Sequence, residues 1–214
     1  MDDFRGDKDS TLVNRKIVRP PDTKEVGFQF VDYAYTKDKE LFVQHLHYDQ
    51  LYAIRYGDLS PYAKGLVEGK LMGTRCPKCG DKFFPARVHC WNLDCNLEPT
   101  EWIELKPEGR VHTYTQAGWA AKSVLKKLPF ILAYVVVDNC KTAIANDLKG
   151  LKPWDAEFGM PVIVKFKPKA ERVGSITDFW FEPAPDWKPS PMNAEKERIK
   201  QLCEPVYKWV KTIK

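Results

Sequence analysis

The sequence predicts a mainly β protein, in which a zinc ribbon precedes a small antiparallel barrel and helical extensions flank both. Three observations carry this prediction: two close pairs of cysteines, a series of short β-branched and aromatic segments after them, and an amphipathic stretch near the end. The predicted organisation is an N-terminal extension over 1–58, a helix plus zinc ribbon over 59–100, the barrel over 101–185 and a C-terminal helix over 186–214.

The N-terminal extension is charged over its first 25 residues or so and contains Pro20-Pro21, which is typical of a flexible or partner-wrapping arm. Residues 27–35 alternate and indicate an extended strand, and residues 37–54 have helix-like spacing of apolar side chains. Their aromatic density exceeds what a free tail needs. We therefore interpret the extension as a partner-binding arm.

A short helix is predicted to lead into the ribbon. Ser60 offers a hydroxyl cap, and Pro61 suits the first helical position. Two glycines lower the intrinsic stability of this helix. It delivers the chain to Arg75, immediately before the first cysteine.

Four cysteines form the most specific pattern in the chain. Cys76 and Cys79 read C-x2-C, ten residues follow, and Cys90 and Cys95 read C-x4-C. Two close pairs joined by a short loop bring four thiolates to one tetrahedral centre, as a structural zinc ion requires. Because the protein fills all four positions, such a metal would stabilise the fold and carry out no chemistry.

Two alternatives to zinc remain at this point: a pair of disulfides, and iron in a rubredoxin-like site. The N-terminus has no apolar signal segment, and no run of about 18 apolar residues exists, so we expect a cytoplasmic protein with no membrane span. That compartment disfavours disulfides. The aromatic residues Phe83 and Phe84 are expected to shield the metal, and the remaining Cys140 and Cys203 are expected to be small buried residues.

The barrel prediction rests on five or six short strand-like segments over about 80 residues, with no helix alternating between them. This pattern favours an OB-fold, a five-stranded barrel of that size. The segments are 101–105, 109–120, 129–139, 142–148, 161–168 and 178–184.

The C-terminal stretch is amphipathic, with apolar residues at three- and four-residue steps. Asn193 is a plausible N-cap, and Pro205 is expected to kink or split the helix. Docking on the protein's own barrel and docking on a partner chain are equally compatible with this pattern. The apolar positions are Ile199, Leu202, Cys203, Val206, Trp209, Val210 and Ile213.

Three motifs carry a resemblance to a known family. G-x-L-x-G-x-R-C spans Gly69 to Cys76, Gly80 follows the first cysteine pair, and Phe84-Pro-x-Arg87 precedes the second pair. In these motifs the chain resembles a family that couples a rubredoxin-like zinc ribbon to an OB-fold, long labelled a domain of unknown function. The resemblance covers roughly 60–185. It departs at the second pair, where the family usually has two residues between the cysteines.

Members of this family resemble accessory subunits of thiolases, of hydroxymethylglutaryl-CoA synthase assemblies, or of aldolases and hydratases of acyl-CoA chemistry. The resemblance implies that this chain is the small subunit of a thiolase-type hetero-oligomer, for example of two plus two chains. The catalytic partner would be a thiolase-like subunit acting on a CoA thioester, in a pathway such as the anaerobic degradation of an aromatic compound.

The chain carries no recognisable catalytic centre of its own. A thiolase step needs a nucleophilic cysteine with an activating histidine, and the free cysteines lie in no such local motif. His45 and His47 form at most half of a metal site, His89 adjoins a zinc ligand, and His112 is expected to fill a core or cross-strand position. We therefore expect the chemistry to belong to the partner.

Basic side chains at the barrel edge are candidates to contact the phosphates of coenzyme A. Lys122, Lys126 and Lys127 lie in a loop between two predicted strands, where OB-folds often contact ligands, and Arg87 lies on the ribbon side. The alternative is that they are ordinary solvated charges.

Two other functions remain open. A single-stranded nucleic-acid module needs stacking aromatics interleaved with basic residues, and Tyr114 and Trp119 have little such charge around them. The net charge of +5, from 34 basic and 29 acidic side chains, is also modest for nucleic acid. The third possibility is a free-standing acyl carrier, which would bind CoA esters without any partner.

Overall fold

The protein is described by a computed structural model over residues 56–120 and 127–212. The predicted strand at 27–35 and helix at 37–54 lie outside these residues. The helices and strands are α1 (Ser60–Glu68), β1 (Leu71–Arg75), β2 (Lys82–Phe83), β3 (Glu101–Leu105), β4 (Glu108–Ala117), β5 (Phe130–Val137), β6 (Ala143–Leu148), β7 (Pro161–Phe166), β8 (Phe179–Pro183) and α2 (Ala194–Val210).

The first three strands form an antiparallel sheet in the order β2-β1-β3. β3 pairs along the whole of β1, so the prediction that residues 101–105 belong to the barrel is wrong. Alternating polar and apolar residues identify a strand, but they do not identify its neighbour. Gly73 allows the close packing, because a Cβ there would lie 2.5 Å from Cδ1 of Leu105.

The remaining five strands close into the predicted barrel, in the order β4-β5-β6-β8-β7. All neighbours pair antiparallel except β6 and β8, which meet in parallel where Leu148 lies opposite Phe181. Pairing of β7 with β4 closes the ring. This is the five-stranded closed architecture expected of an OB-fold.

The barrel interior and the face of α1 share one apolar core. Leu66 of α1 and Phe84 from the ribbon are fully buried with the barrel residues. The ring of Phe84 lies 5.6 Å from that of Tyr62 and 6.2 Å from that of Phe179. Ribbon and barrel are therefore packed on each other through shared side chains.

α1 begins differently from the prediction. Ser60 is its first residue and not its cap, and Ser60 Oγ donates to the carbonyl oxygen of Gly57 at 2.5 Å. Leu59 occupies the cap position without a side-chain hydrogen bond. A turn of 3-10 helix just before α1 explains the difference, because it places the carbonyl oxygen of Gly57 within reach of the Ser60 hydroxyl.

α2 docks on the barrel side of its own chain. The side chain of Asn193 accepts from the backbone N–H of Lys196 at 2.9 Å, which confirms the predicted cap, and the helix runs unbroken through Pro205. Cys203 is buried, and Tyr207 packs edge-on against Trp154 with ring centroids 6.4 Å apart. In the described part of the chain, no helix combines the length and the hydrophobicity that a membrane span requires.

Candidate metal centre

The first cysteine pair lies in the turn between β1 and β2. The backbone N–H of Gly80 donates to the carbonyl oxygen of Cys76 at 2.9 Å, and the N–H of Cys76 donates to that of Asp81 at the same distance. Gly80 has φ of +77°, a left-handed conformation that favours glycine. The tight turn directs Cys76 and Cys79 to the same side of the ribbon.

The second pair is longer because its extra residues form a turn of 3-10 helix, Leu93–Cys95. Asn92 caps this turn, with its side chain accepting from the backbone N–H of Asp94 at 3.0 Å. The N–H of Cys90 donates to the carbonyl oxygen of Glu98 at 2.9 Å and fixes the base of the loop. The departure from the usual family spacing is thus absorbed in a helical turn, and both cysteines keep their ligand positions.

All four predicted ligands meet at one point. The Sγ atoms of Cys76 and Cys95 lie 3.8 Å apart, those of Cys79 and Cys90 lie 3.7 Å apart, and all four fall within 4.8 Å of one another. Four sulfurs at about 2.3 Å from a tetrahedral zinc ion would stand about 3.8 Å apart. A disulfide requires about 2.05 Å, so these cysteines are free thiols with the spacing of a metal site.

The sulfur cluster is enclosed on its inner side. Cys76, Cys90, Cys95 and Phe83 form a small buried cluster separate from the barrel core, whereas Cys79 is exposed. Of the two phenylalanines expected to shield the metal, Phe83 does so and Phe84 fills the barrel core instead.

The thiols ionise unevenly. Burial opposes ionisation of Cys76, but backbone N–H groups of Cys79 and Lys78 and the neighbouring thiols outweigh it and lower its pKa to about 7. Burial and the neighbouring sulfurs raise the pKa of Cys95 to about 12. A zinc ion must therefore displace protons from the less acidic thiols when it binds.

Polar contacts fasten the ribbon to the barrel. The hydroxyl of Thr142 accepts from the N–H of Phe84 at 2.9 Å and donates to its carbonyl oxygen at 3.0 Å. Lys82 Nζ lies 2.8 Å from a carboxylate oxygen of Asp138, and the N–H of Lys141 donates to the carbonyl oxygen of Lys82 at 2.8 Å. The metal site is therefore attached to the barrel at several points.

The candidate CoA contacts do not form one site in the described residues. Arg87 is exposed on the ribbon, where its backbone is held by Thr74, and Lys127 is exposed just before β5. Lys122 and Lys126 lie outside the described residues. Lys127 lines a cavity of about 360 Å³ beside β5, β6 and α2, and Arg87 is not among its lining residues.

Within the described residues, the remaining cysteines and histidines show no catalytic arrangement, and His45 and His47 lie outside those residues. Cys140 and Cys203 are buried as predicted, and burial raises the pKa of both thiols, that of Cys140 to about 12. His112 is exposed at an irregularity of the β4–β5 pairing, so its predicted core or cross-strand role is wrong. His89 is exposed beside the second cysteine pair, where it bridges to Pro99.

One of the two candidate stacking residues is committed to internal contacts. The hydroxyl of Tyr114 donates to the carbonyl oxygen of Ala156 at 2.6 Å, and its ring lies 5.0 Å from that of Phe158. Trp119 is exposed. In the described barrel, Tyr114 and Trp119 therefore do not form a pair of exposed aromatic rings on which nucleic-acid bases could stack.

Two features of the site were missed by sequence reasoning. One is the cavity beside Lys127, whose walls come from segments far apart in the chain. The other is the exposed apolar loop of the second cysteine pair, for which the four-residue spacing with Leu93 inside it was an available signal.

The fold and the site define a class: a small β-barrel protein with a closed four-cysteine ribbon of structural type. Residues 63–98 match the family model described as ChsH2, rubredoxin-like zinc ribbon domain. A DUF35 domain-containing scaffold protein of Methanocaldococcus jannaschii is 32% identical over 97 residues, which cover 45% of this chain and 67% of that relative. The chain belongs to the DUF35 family.

A second DUF35 domain-containing scaffold protein, from Methanothermobacter thermautotrophicus, is 24% identical over 114 residues, covering 52% of this chain and 84% of the relative. Among solved structures, the Ltp2-ChsH2(DUF35) aldolase aligns with a TM-score of 0.48 at 21% identity, covering 58% of this chain and 92% of that chain. A DUF35 protein of Sulfolobus solfataricus aligns with a TM-score of 0.43 at 20% identity, covering 58% and 84%.

Proposed function

We propose that this chain is a non-catalytic accessory subunit of a thiolase-type acyl-CoA enzyme complex, in which it supports assembly and the binding of the CoA ester by the catalytic subunit. The observation that carries the proposal is the closed sulfur cluster: Cys76, Cys79, Cys90 and Cys95 would hold a zinc ion and leave no position for water or substrate. The metal would then serve only to fix the ribbon on the barrel.

Two further observations support the accessory role. The cysteines outside the cluster, Cys140 and Cys203, are buried with raised pKa values, so neither is a prepared nucleophile. The relatives in Methanocaldococcus and Methanothermobacter carry the name of scaffold proteins, which describes assembly and not turnover. The proposed complex is a hetero-oligomer, for example of two plus two chains.

Co-expression tests the accessory role. The catalytic subunit to try is a thiolase-like protein encoded beside this chain, and within this class we propose benzoylsuccinyl-CoA thiolase of anaerobic toluene degradation as the first activity to assay. We expect co-purification, and thiolytic cleavage by the complex at a rate that neither chain reaches alone. Turnover of a thioester by this chain alone would contradict the proposal, as would a partner that is fully active and never binds it.

We infer the CoA contacts from Lys122, Lys126 and Lys127, which precede β5 in the sequence and of which the structure describes Lys127. Lys127 stands beside a cavity with apolar walls from Phe130 and Leu151, and a volume of about 360 Å³ lies in the range of small-molecule sites. Lys127 and Lys149 place two cations at this cavity beside the single carboxylate of Asp147, and cations over apolar walls suit the phosphates and the adenine of a CoA ester.

Charge reversal tests these contacts. Replacing Lys122, Lys126 and Lys127 with Glu should raise the Kd of the complex for CoA at least tenfold, measured by titration calorimetry. Lys188→Glu is the control, since Lys188 is exposed outside the cavity and its replacement changes charge by the same amount per residue. Equal Kd values for both variants would remove the loop from the CoA site and leave the accessory role standing.

A further inference from the structure

The loop of the second cysteine pair exposes an unusual amount of apolar surface. Leu93 is 93% exposed, Leu97 69% and Trp91 57%, and Val88 at the start of the same loop is also exposed. Single exposed apolar residues are ordinary on a protein surface, but several within ten residues of one loop mark an interaction surface. We call these four residues the knuckle patch.

The fold holds this patch rigidly in an outward position. Cys90 and Cys95, which flank Trp91 and Leu93, are both fixed in the sulfur cluster. The base of the loop is closed by the N–H of Thr100, which donates to the carbonyl oxygen of Val88 at 3.0 Å. Because both ends are anchored, Leu93 at the tip cannot fold back into either core.

The backbone of the patch is strained where it turns. Leu97 has φ of +54°, a left-handed conformation that a leucine rarely adopts. Asn would occupy this position at lower cost, as it does at the preceding Asn96 with φ of +50°. A strained residue that also exposes its apolar side chain is typical of functional surfaces.

The charges around the patch decide which class of partner it fits. Residues 88–100 contain Asp94 and Glu98 and no lysine or arginine. Glu98 pairs with Lys78 at 2.8 Å, and Asp94 is exposed with no ion-pair partner in the part of the chain that the structure describes. Glu98 is thus neutralised and the exposed Arg87 precedes the loop, so the charge at the tip itself is the single carboxylate of Asp94. An apolar tip with one carboxylate complements an apolar pocket with a cation at its rim and disfavours nucleic acid and anionic membranes.

We infer that the knuckle patch is the surface by which this chain docks into an apolar, basic-rimmed pocket of its catalytic partner protein. This inference rests on the proposed accessory role and names the surface that binds the partner. Leu93 enters the pocket as the anchor, Trp91 and Leu97 cover its edges, and Asp94 meets a cation at the rim. The zinc ion contributes by keeping this tip in its docking shape.

Substitutions in the patch test the inference on the co-purified complex. Leu93→Ser and Leu97→Asn should each raise the Kd for the thiolase-like subunit about tenfold or more, since buried apolar anchors dominate interfaces. Zinc content of the free chain should stay at the wild-type level in both variants, and the melting temperature should not fall in either. Val173→Ser, at a 75% exposed valine outside the ribbon, is the matched control and should leave the Kd unchanged.

The acidic part of the inference has its own test. Asp94→Asn keeps the size of the side chain and the N–H that Asn92 caps, but removes the charge. It should weaken binding and flatten the dependence of Kd on salt between low and physiological ionic strength. An unchanged salt dependence would overturn the assignment of a basic rim.

The outcomes separate this inference from the accessory role. If the wild-type complex forms and both leucine variants bind as tightly as Val173→Ser, the docking surface is wrong and the accessory role stands. If no wild-type complex forms, both fall. Self-association of the free chain that Leu93→Ser abolishes, or binding to phosphatidylcholine–phosphatidylglycerol vesicles, would overturn the inference. Protection of the Trp91 and Leu93 side chains from hydroxyl-radical labelling in the free full-length chain would do so too, because the patch would already be covered.

Discussion

At the scale of single residues, the ribbon depends on a buried hydroxyl. Thr74 in β1 is almost fully buried, and its Oγ donates to the carbonyl oxygen of Arg87 at 2.9 Å and accepts from its N–H at 3.0 Å. The hydroxyl of Thr100 donates to the same carbonyl oxygen. These bonds place the segment that leads into the second cysteine pair.

Thr74→Val should therefore destabilise the protein more than its size suggests. The change keeps the shape of the side chain but leaves the N–H of Arg87 without its partner, at a cost of about 1–3 kcal/mol in the free energy of unfolding. Urea unfolding of the zinc-loaded protein measures it. Thr113→Val, at an exposed position of β4, is the control and should change the stability by less than about 0.5 kcal/mol.

Leu97 allows a prediction in the opposite direction. Because its φ of +54° is unfavourable for leucine, Leu97→Asn should raise the free energy of unfolding by up to about 1 kcal/mol. The measurement is thermal or urea unfolding of the free chain. Leu93→Asn is the control, because the backbone at Leu93 is not left-handed. A clear loss of stability in Leu97→Asn would mean that the Leu97 side chain packs on the fold and is not reserved for a partner.

The metal ligands could be predicted from the sequence, but the positions of the residues around them could not. The spacing of the cysteines was enough to predict all four ligands, the pair Cys76 and Cys79 together with the second pair, because two close pairs joined by a short loop can bind one ion. Spacing does not separate Phe83, the last residue of β2, from Phe84, because neighbouring residues of an extended segment face opposite sides and the sequence does not say which side faces the sulfurs. Sequence reasoning also missed that a local backbone irregularity puts His112 in solvent.

At the scale of elements, α2 is held by one nearly buried cation. Lys196 Nζ lies 2.6 Å from Oε1 of Glu157 and donates to the carbonyl oxygen of Ser190 at 2.9 Å. Burial opposes ionisation of Glu157, but hydrogen bonds from Lys196 and Ser190 outweigh it and hold its pKa below the ordinary value of 4.5. The ionised carboxylate is thus stabilised by the docked helix.

This contact makes the docking of α2 dependent on pH. The stabilisation is complete well above pH 4.5, the ordinary pKa of glutamate, and is lost as the pH falls through the lower pKa of the folded state. Lys196→Met should cost about 1–2 kcal/mol at neutral pH, a discounted figure because water reaches Glu157. The difference in unfolding free energy between the two proteins should shrink below pH 4.5.

The control is the exposed pair of Lys200 and Glu197 on the same helix, whose charged atoms lie 3.6 Å apart. Lys200→Met should change stability by less than about 0.5 kcal/mol, with no trend in pH. Acid also protonates the zinc ligands, but it does so equally in all three proteins, so only differences between them report on α2. A constant difference between wild type and Lys196→Met down to pH 3 would contradict the assignment.

Elements were predicted better than their partners. The periodicity of 194–210 gave α2 and its cap, but the pattern alone left its docking surface open, and the structure places it on its own chain. β3 was recognised as a strand and assigned to the wrong sheet, because the pairing of 101–105 with β1 is a contact between segments about 30 residues apart. Local propensity has no information about such contacts.

At the scale of the whole molecule, the folded state of the ribbon should depend on the metal more than that of the barrel. The cluster around the sulfurs consists of three buried cysteines and Phe83, too little apolar surface to hold the cysteine loops in place alone. The barrel instead has an extensive core, which it shares with α1, Leu71, Phe84 and Leu105. Stripping zinc with a chelator should therefore expose the amides of 76–100 to fast exchange, while those of β4–β8 stay protected.

Matched cysteine variants sharpen this test. Cys79→Ser removes a ligand and should give the exchange pattern of the stripped protein, whereas Cys140→Ser changes a buried thiol outside the cluster and should retain the metal. Equal behaviour of the two variants would deny any special role to the four clustered sulfurs. Uniform loss of protection after chelation would mean that ribbon and barrel unfold as one unit.

The most direct measurement is the metal content and metal environment of the full-length chain, purified under reducing conditions without added zinc. We expect one zinc ion per chain, with X-ray absorption showing four sulfur neighbours at about 2.3 Å and no oxygen or nitrogen. A folded protein that contains no metal, or a metal with an open position occupied by water, would contradict this expectation.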